Sequence, residues 1–169
     1  NEAPPILALL GSLLIETDDF DSADPFLRRA IDEGKIPSAY GDLANVLWDR
    51  SEEGSEEQKE DREEALGLLR VAVGLQHVAK SALDMLLDLW EEEESEEAKD
   101  MLMAAGEKHA SNPAVLTVVA NLYLNGDEPE QARPWLDKLL AVANRSLDDD
   151  AFARRALLTL DVDDFEERY

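Results

Sequence analysis

The sequence predicts an all-α fold: a solenoid of four antiparallel helix hairpins followed by one C-terminal helix. Three observations predict it. Ala and Leu dominate the 169 residues, β-branched residues are sparse and Phe, Trp and Tyr together make only 6%, a composition that favours helix over strand. Apolar residues recur at spacings of three and four, as on one face of a helix. The pattern also repeats along the chain: Ala23, Ala65, Ala98 and Ala132 occupy one recurring position, 42, 33 and 34 residues apart. An acidic insertion at 51–64 accounts for the one long interval.

The first hairpin, residues 4–35, reads Leu7, Leu10, Gly11, Leu14, then Ala23, Leu27, Ala30, across an acidic turn at Asp18–Asp21. The second, 37–75, reads Tyr40, Leu43, Ala44, Leu47, then Ala65, Leu69, Ala72; its insertion is expected to be a solvated turn running into a helix. The third, 77–110, reads Ala82, Met85, Leu86, Leu89, then Ala98, Leu102, Ala105. Leu86 stands where other copies carry Gly or Ala, so these two helices are expected to sit slightly further apart. The fourth, 112–146, reads Leu116, Val119, Ala120, Tyr123, then Ala132, Leu136, Leu139, with a turn at Asn125-Gly126-Asp127. Pro25 and Pro134 each follow the recurring alanine by two residues. An interior proline costs about 3 kcal/mol, so both are expected to mark helix starts near Ala23 and Ala132. Residues 147–169 read as a capping helix with Phe152, Ala153, Ala156, Leu157 and Leu160 on its core side and an acidic remainder facing water.

This register of large and small positions resembles the tetratricopeptide repeat, over roughly residues 4–144, with 112–144 as its best copy. The resemblance implies a right-handed superhelix whose first helices line a concave groove for an extended or helical partner segment. It also implies that Asn45 and Asn121, each just after a small position, contact a ligand backbone; Ser12 and Leu87 stand at the matching places of the other copies. The family's clamp for a terminal carboxylate needs groove cations, and here those places offer mainly Lys80, so an acidic tail is a poor partner. One turn beyond each small position stand Ile15, Trp48, Trp90 and Leu124. They are candidate apolar anchors for a partner, or packing residues for the next repeat's helix.

Charge and composition exclude much else. With 40 acidic against 16 basic side chains the net charge is −24, which opposes nucleic-acid binding and anionic membranes. A hydrophobic content of 44% rules out an acidic disordered tail. The apolar stretch Ile6 to Ile15 is too short to span a bilayer. The chain holds no cysteine, which removes disulfides, thiolate metal sites and thiol nucleophiles and suits the cytoplasm. It begins with Asn1 rather than Met, as a fragment or processed form would.

No phosphate-loop or His-Glu-x-x-His pattern is present, and His77 and His109 read as loop or helix-end residues. The clusters Asp18–Asp24 and Asp161–Asp164 lack the Gly and Glu that a calcium loop requires. No catalytic, metal or cofactor site is therefore expected.

Just over half of the acidic side chains fall in the four hairpin turns and the helix starts they lead into. Stacked turns would place Asp18, Asp21, Glu56, Glu57, Glu93 and Glu94 along one acidic rim, able to steer a basic partner. The expected function is a protein-interaction module that takes a basic or apolar partner segment in its groove. The alternative is a structural role, docking within a larger protein or self-association without a free peptide ligand. The sequence leaves the oligomeric state open, with a weak homodimer as one form it permits.

Overall fold

The first helix, α1 (Pro4–Ile15), opens on two prolines at first-turn positions whose N–H groups have no intrahelical partner. Asp19 caps α2 (Phe20–Gly34) by accepting from the Ser22 N–H, and Pro37 opens α3 (Pro37–Arg50). α4 (Glu56–Gly74) and α5 (Lys80–Glu93) follow. Ser95 caps α6 (Glu96–Lys108) by accepting from the Ala98 N–H; Asn112 and Pro113 start α7 (Pro113–Leu124) in the same manner. A 3-10 turn at Pro129–Ala132 leads into α8 (Arg133–Ala141). A reciprocal cap starts α9 (Leu147–Glu167): Ser146 Oγ accepts from the Asp149 N–H, and the Asp149 carboxylate accepts from the Ser146 N–H, each at 3.0 Å. The structure, a computed structural model, describes residues 3–51 and 56–167, with side chains over 3–51 and 59–161.

The chain divides into two compact units, Asn1–Leu86 and Leu87–Tyr169. In the first, α1 packs on α2 and α3, α2 on α3, and α3 on α4. Leu7, Leu27, Leu43, Leu47, Leu69 and Leu83 fill its core. In the second, α6 packs on α7, α7 on α8, and α8 on α9 around Leu102, Leu116, Leu122, Leu136 and Leu139. The recurring alanines 23, 65, 98 and 132 are all 0% exposed, so the sequence register is the register of burial. Small side chains at these places let helices approach until the leucines interlock. Leu86, the large residue of the third copy, is itself fully buried. Among the described residues there is no strand, and no helix is long and apolar enough to cross a membrane.

Two glycines mark where backbones come closest. A Cβ on Gly11 would stand 2.5 Å from the Leu27 side chain, at the α1–α2 contact. A Cβ on Gly41 would stand 2.6 Å from the Ser81 carbonyl carbon and closer still to the Ala82 amide, so only glycine lets α3 meet the first turn of α5. Around this crossing Ser12 Oγ donates to the Asp42 carboxylate at 2.5 Å, and Ser81 Oγ donates to the Ser38 carbonyl at 3.1 Å. Burial raises the Asp42 carboxyl above its ordinary value, against the opposing pull of the Ser12 and Ser81 hydroxyls.

The two marker prolines differ. Pro134 is the second residue of α8, at the helix start as its spacing implies. Pro25 instead lies inside α2, as its sixth residue, because the Asp19 cap moves the start forward to Phe20. Pro25 is exposed, so the Asp21 carbonyl that loses its helical donor lies towards solvent.

Candidate partner-binding site

Ile15, Trp48, Trp90 and Leu124 each fall within three residues of the C-terminal end of α1, α3, α5 or α7. All four are half-buried. Each tryptophan lies under a cation from the second helix of its own hairpin. The Arg62 guanidinium of α4 stands 4.6 Å from the Trp48 ring centroid, and the Lys99 ammonium of α6 stands 4.6 Å from that of Trp90. The third tryptophan, Trp135, is buried in α8 against Gly106, and Lys138 covers its ring at 3.8 Å.

In the first unit two arginines join acids of α2 and α4. Arg28 pairs with Asp24 and Glu64, and Arg50 pairs with Asp61 and Asp24. The bond to Glu64 is the main cause that raises the Arg28 pKa, and the bond to Asp61 does the same for Arg50. Ser51, buried at the end of α3, donates to the Trp48 carbonyl and accepts from Arg62 Nε. A small recess near this end is lined by Asp18, Asp19, Phe20, Asp21, Asp49 and Arg50.

Around Trp90 the charges are not matched. A recess of about 770 Å³ is walled by Trp90, Glu91, Glu94 and Glu96 on one side and by Asn125, Gly126 and Asp127 on the other. A smaller adjoining hollow shares Trp90 and adds Lys99, Leu122, Tyr123 and Glu128. Asn125 Nδ2 donates to Glu91 at 2.7 Å and joins the two walls. Among the described residues no cationic side chain pairs with Glu91, Glu94 or Asp127; Lys99 reaches only Glu96, at 3.9 Å. Burial, reinforced by the Glu128 charge, raises the Tyr123 phenol above its ordinary value.

Glu94 also has an unusual backbone. It lies in the left-handed region at φ 52°, where α5 ends and the Ser95 N–H returns to the Leu89 carbonyl. A side chain there costs about 1–2 kcal/mol relative to glycine.

The structure thus joins one sequence-derived anchor, Trp90, to one acidic turn residue, Glu94. Asp18 and Asp21 line the recess of the first unit, and Glu93 is exposed at the end of α5. Glu56 and Glu57 begin α4, but their side chains lie outside the described residues. Asn45 is exposed on α3, and Asn121 is half-buried on α7. Sequence reasoning did not single out Glu91, Glu96, Lys99 or Asp127 as a set with Trp90. The available signal was that a Glu-rich turn and an Asn-Gly-Asp turn both follow apolar helix ends one repeat apart. Among the described residues no group of three or more acidic or histidine side chains could hold a metal ion.

No family model matches the chain, and no curated protein does. A structure from the functional characterization of Pseudomonas aeruginosa PilF is similar over 92% of this chain and 68% of that one, with 18% identity and a TM-score of 0.55. The Thermus thermophilus protein TTC0263, described as a thermophilic TPR protein, covers 92% of this chain and 100% of its own, at 22% identity and a TM-score of 0.43. The likeness to the first shows the fold alone, an all-helical repeat fold.

Proposed function

We propose that this chain is a protein-interaction module that captures a basic, partly apolar segment of a partner protein, with the Trp90 recess as its docking point. One observation carries the reading: a half-buried tryptophan shares a recess with Glu91, Glu94 and Asp127, none of them neutralised by a cation among the described residues. An incoming Arg or Lys gains charge pairing from the carboxylates and lays its apolar stem along the indole. Lys99 already shows that a cation rests on this ring. The strained backbone of Glu94 supports the reading, because strain of this sort gathers at sites that use it. Asn121 and Leu124 extend the surface along α7. In the first unit Asn45, Trp48 and Ile15 are proposed as a further contact. No side chain is assigned a catalytic role, and the absence of cysteine supports a cytoplasmic setting.

The test is fluorescence anisotropy with labelled peptides of Arg and Leu, and with matched peptides in which Glu replaces Arg. The basic peptide is expected to bind, with affinity falling steeply as salt rises. Trp90→Ala is expected to weaken binding at least about tenfold. Equal affinity for the acidic peptide, or binding indifferent to Trp90→Ala, would refute the recess as the docking point.

A further inference from the structure

Each of the three tryptophans carries a cation on its ring, and the three cations are held differently. Arg62 lies on Trp48 and is fixed there by the bond from its Nε to the buried Ser51. Lys138 lies on Trp135, a ring buried in α8. Lys99 lies on Trp90, but the carboxylate it pairs with, Glu96, is 3.9 Å away, too far for a hydrogen bond. The most loosely held cation therefore covers the ring that lines the recess.

Trp90, Glu96, Gly126 and Asp127 line both the recess and the hollow that contains Lys99. A cation drawn in by Glu91, Glu94 and Asp127 therefore meets Lys99 over the same indole. Two cations on one half-buried ring repel, so the ring holds one of them at a time.

We infer that Lys99 is a built-in placeholder for the partner's cation: it covers Trp90 in the free protein and leaves the ring when an arginine of the partner segment docks. This role depends on the recess being the docking point for a basic segment, and it adds how the free site is kept covered and which cation it prefers. Departure is easy, because the lysine stem is long and flexible, and Glu96, Asp127 and Glu128 all line the hollow to receive the displaced ammonium. Arginine is the fitting displacer. Its planar guanidinium is more weakly hydrated than an ammonium, stacks on an aromatic face and can fork to a carboxylate at the same time. A partner lysine brings only the group already present, and Lys99 competes with it at the high effective concentration of a tethered side chain. A segment without a cation has nothing to exchange for Lys99, so the placeholder also raises the threshold against apolar segments.

The test is NMR on the chain with 13C-labelled lysine, titrated with the peptide of Arg and Leu. In the free protein the Lys99 ε-methylene signal, assigned by its loss in Lys99→Met, is expected upfield of that of the exposed Lys35, because it lies over the indole. In Trp90→Leu it is expected to return to the Lys35 position. Saturation with the peptide is expected to move it there in the parent protein. The Lys138 signal is expected to stay in place, since its ring does not line the recess.

Affinity gives a second readout. Lys99→Met keeps the apolar stem, removes the competing charge and is expected to tighten binding of the same peptide at least about threefold. The gain is expected to shrink in a Trp90→Leu background, where no ring remains to uncover. A Lys99 signal without the upfield shift in the free protein, or one that keeps it in the saturated complex, would overturn the placeholder and leave the docking point standing. The same holds for a Lys99→Met variant with no gain, or with a gain undiminished by Trp90→Leu, which would reflect local charge alone. A chain that binds the Glu-containing peptide as tightly as the basic one would refute the docking point, and the placeholder with it.

Discussion

Gly41→Ala and Gly67→Ala add the same methyl group to helices of the same unit, yet they are expected to act in opposite directions. Each substitution removes the helix penalty of glycine, a gain of about 0.8–1 kcal/mol. At Gly67 the new Cβ meets nothing within 4 Å, so that gain stands nearly whole. At Gly41 the new Cβ would lie 2.6 Å from the Ser81 carbonyl carbon, where ordinary contact begins near 3.4 Å. The obstacle is the backbone of the first turn of α5, which no rotamer change can move aside. Overpacking of this kind costs about 1–3 kcal/mol, and a backbone obstacle points to the upper half of that range.

The net expectation is a loss of about 1–2 kcal/mol for Gly41→Ala and a gain of about 0.5–1 kcal/mol for Gly67→Ala. In a chain of this length each kcal/mol moves the melting temperature by about 2–4 °C. Thermal melts followed by circular dichroism at 222 nm separate the two variants readily, since both glycines report on the same unit. A Gly41→Ala protein that melts at or above the parent would refute the close α3–α5 approach. A Gly67→Ala protein that melts below the parent would show that the solvent face of α4 is not open.

Further expectations concern charge and strain. The folded Asp42 carboxyl is raised above the unfolded value of 3.8, so its contribution to stability is present below that value and declines as the pH rises towards the folded value. The amide of the Asp42→Asn variant does not titrate, so its stability relative to the parent should grow with pH across that window and then level off; urea midpoints measured from pH 3 to 8 would show a flat difference if burial is not the cause. Glu94→Gly relieves a left-handed backbone and removes one recess carboxylate; stability should rise by up to about 1 kcal/mol while binding of the basic peptide weakens severalfold. A variant that loses both together would mean that Glu94 serves folding alone. Arg50→Ala, which breaks the pairs with Asp61 and Asp24, should cost about 0.5–1 kcal/mol in low salt and less in 1 M salt. Urea titration at the two salt concentrations checks this, and an undiminished cost in high salt would contradict a screened surface network.

The hairpins were legible because they rest on a local rule. Small and large apolar residues three and four apart fix which face of each helix is buried, and Ala23, Ala65, Ala98 and Ala132 carry that rule through the insertion. Helix ends were less legible. Asp18, Lys35 and Glu94 adopt left-handed backbones that glycine normally supplies, so three turns lacked the glycine that would have marked their exact positions. Pro25 misled for a related reason: the Asp19 cap outweighed the proline in setting the start of α2.

The recess could be read only in part. Trp90 and the Glu-rich turn were visible separately. Their meeting with Asn125-Gly126-Asp127 depends on which turns the packing brings together, and spacing along the chain does not state that. Gly41 was visible as a residue, but its role depends on Ser81 and Ala82, about forty residues away.

The −24 charge is unevenly distributed. Arg28 and Arg50 neutralise Asp24, Asp61 and Glu64 in the first unit. In the second unit Arg133 holds Glu130 and Asp161, and Arg145 and Arg154 hold Asp150, whose pKa falls through those bonds. Arg28, Arg50 and Arg133 each tie acids of two different elements, while among the described residues Glu91, Glu94 and Asp127 beside Trp90 have no cationic partner. The recess therefore responds to salt. Screening weakens the attraction of the recess for a cationic segment. A salt series tests this: binding of the basic peptide should weaken steadily as ionic strength rises. An affinity indifferent to salt would mean that apolar contact alone, and not the open carboxylates, holds the segment.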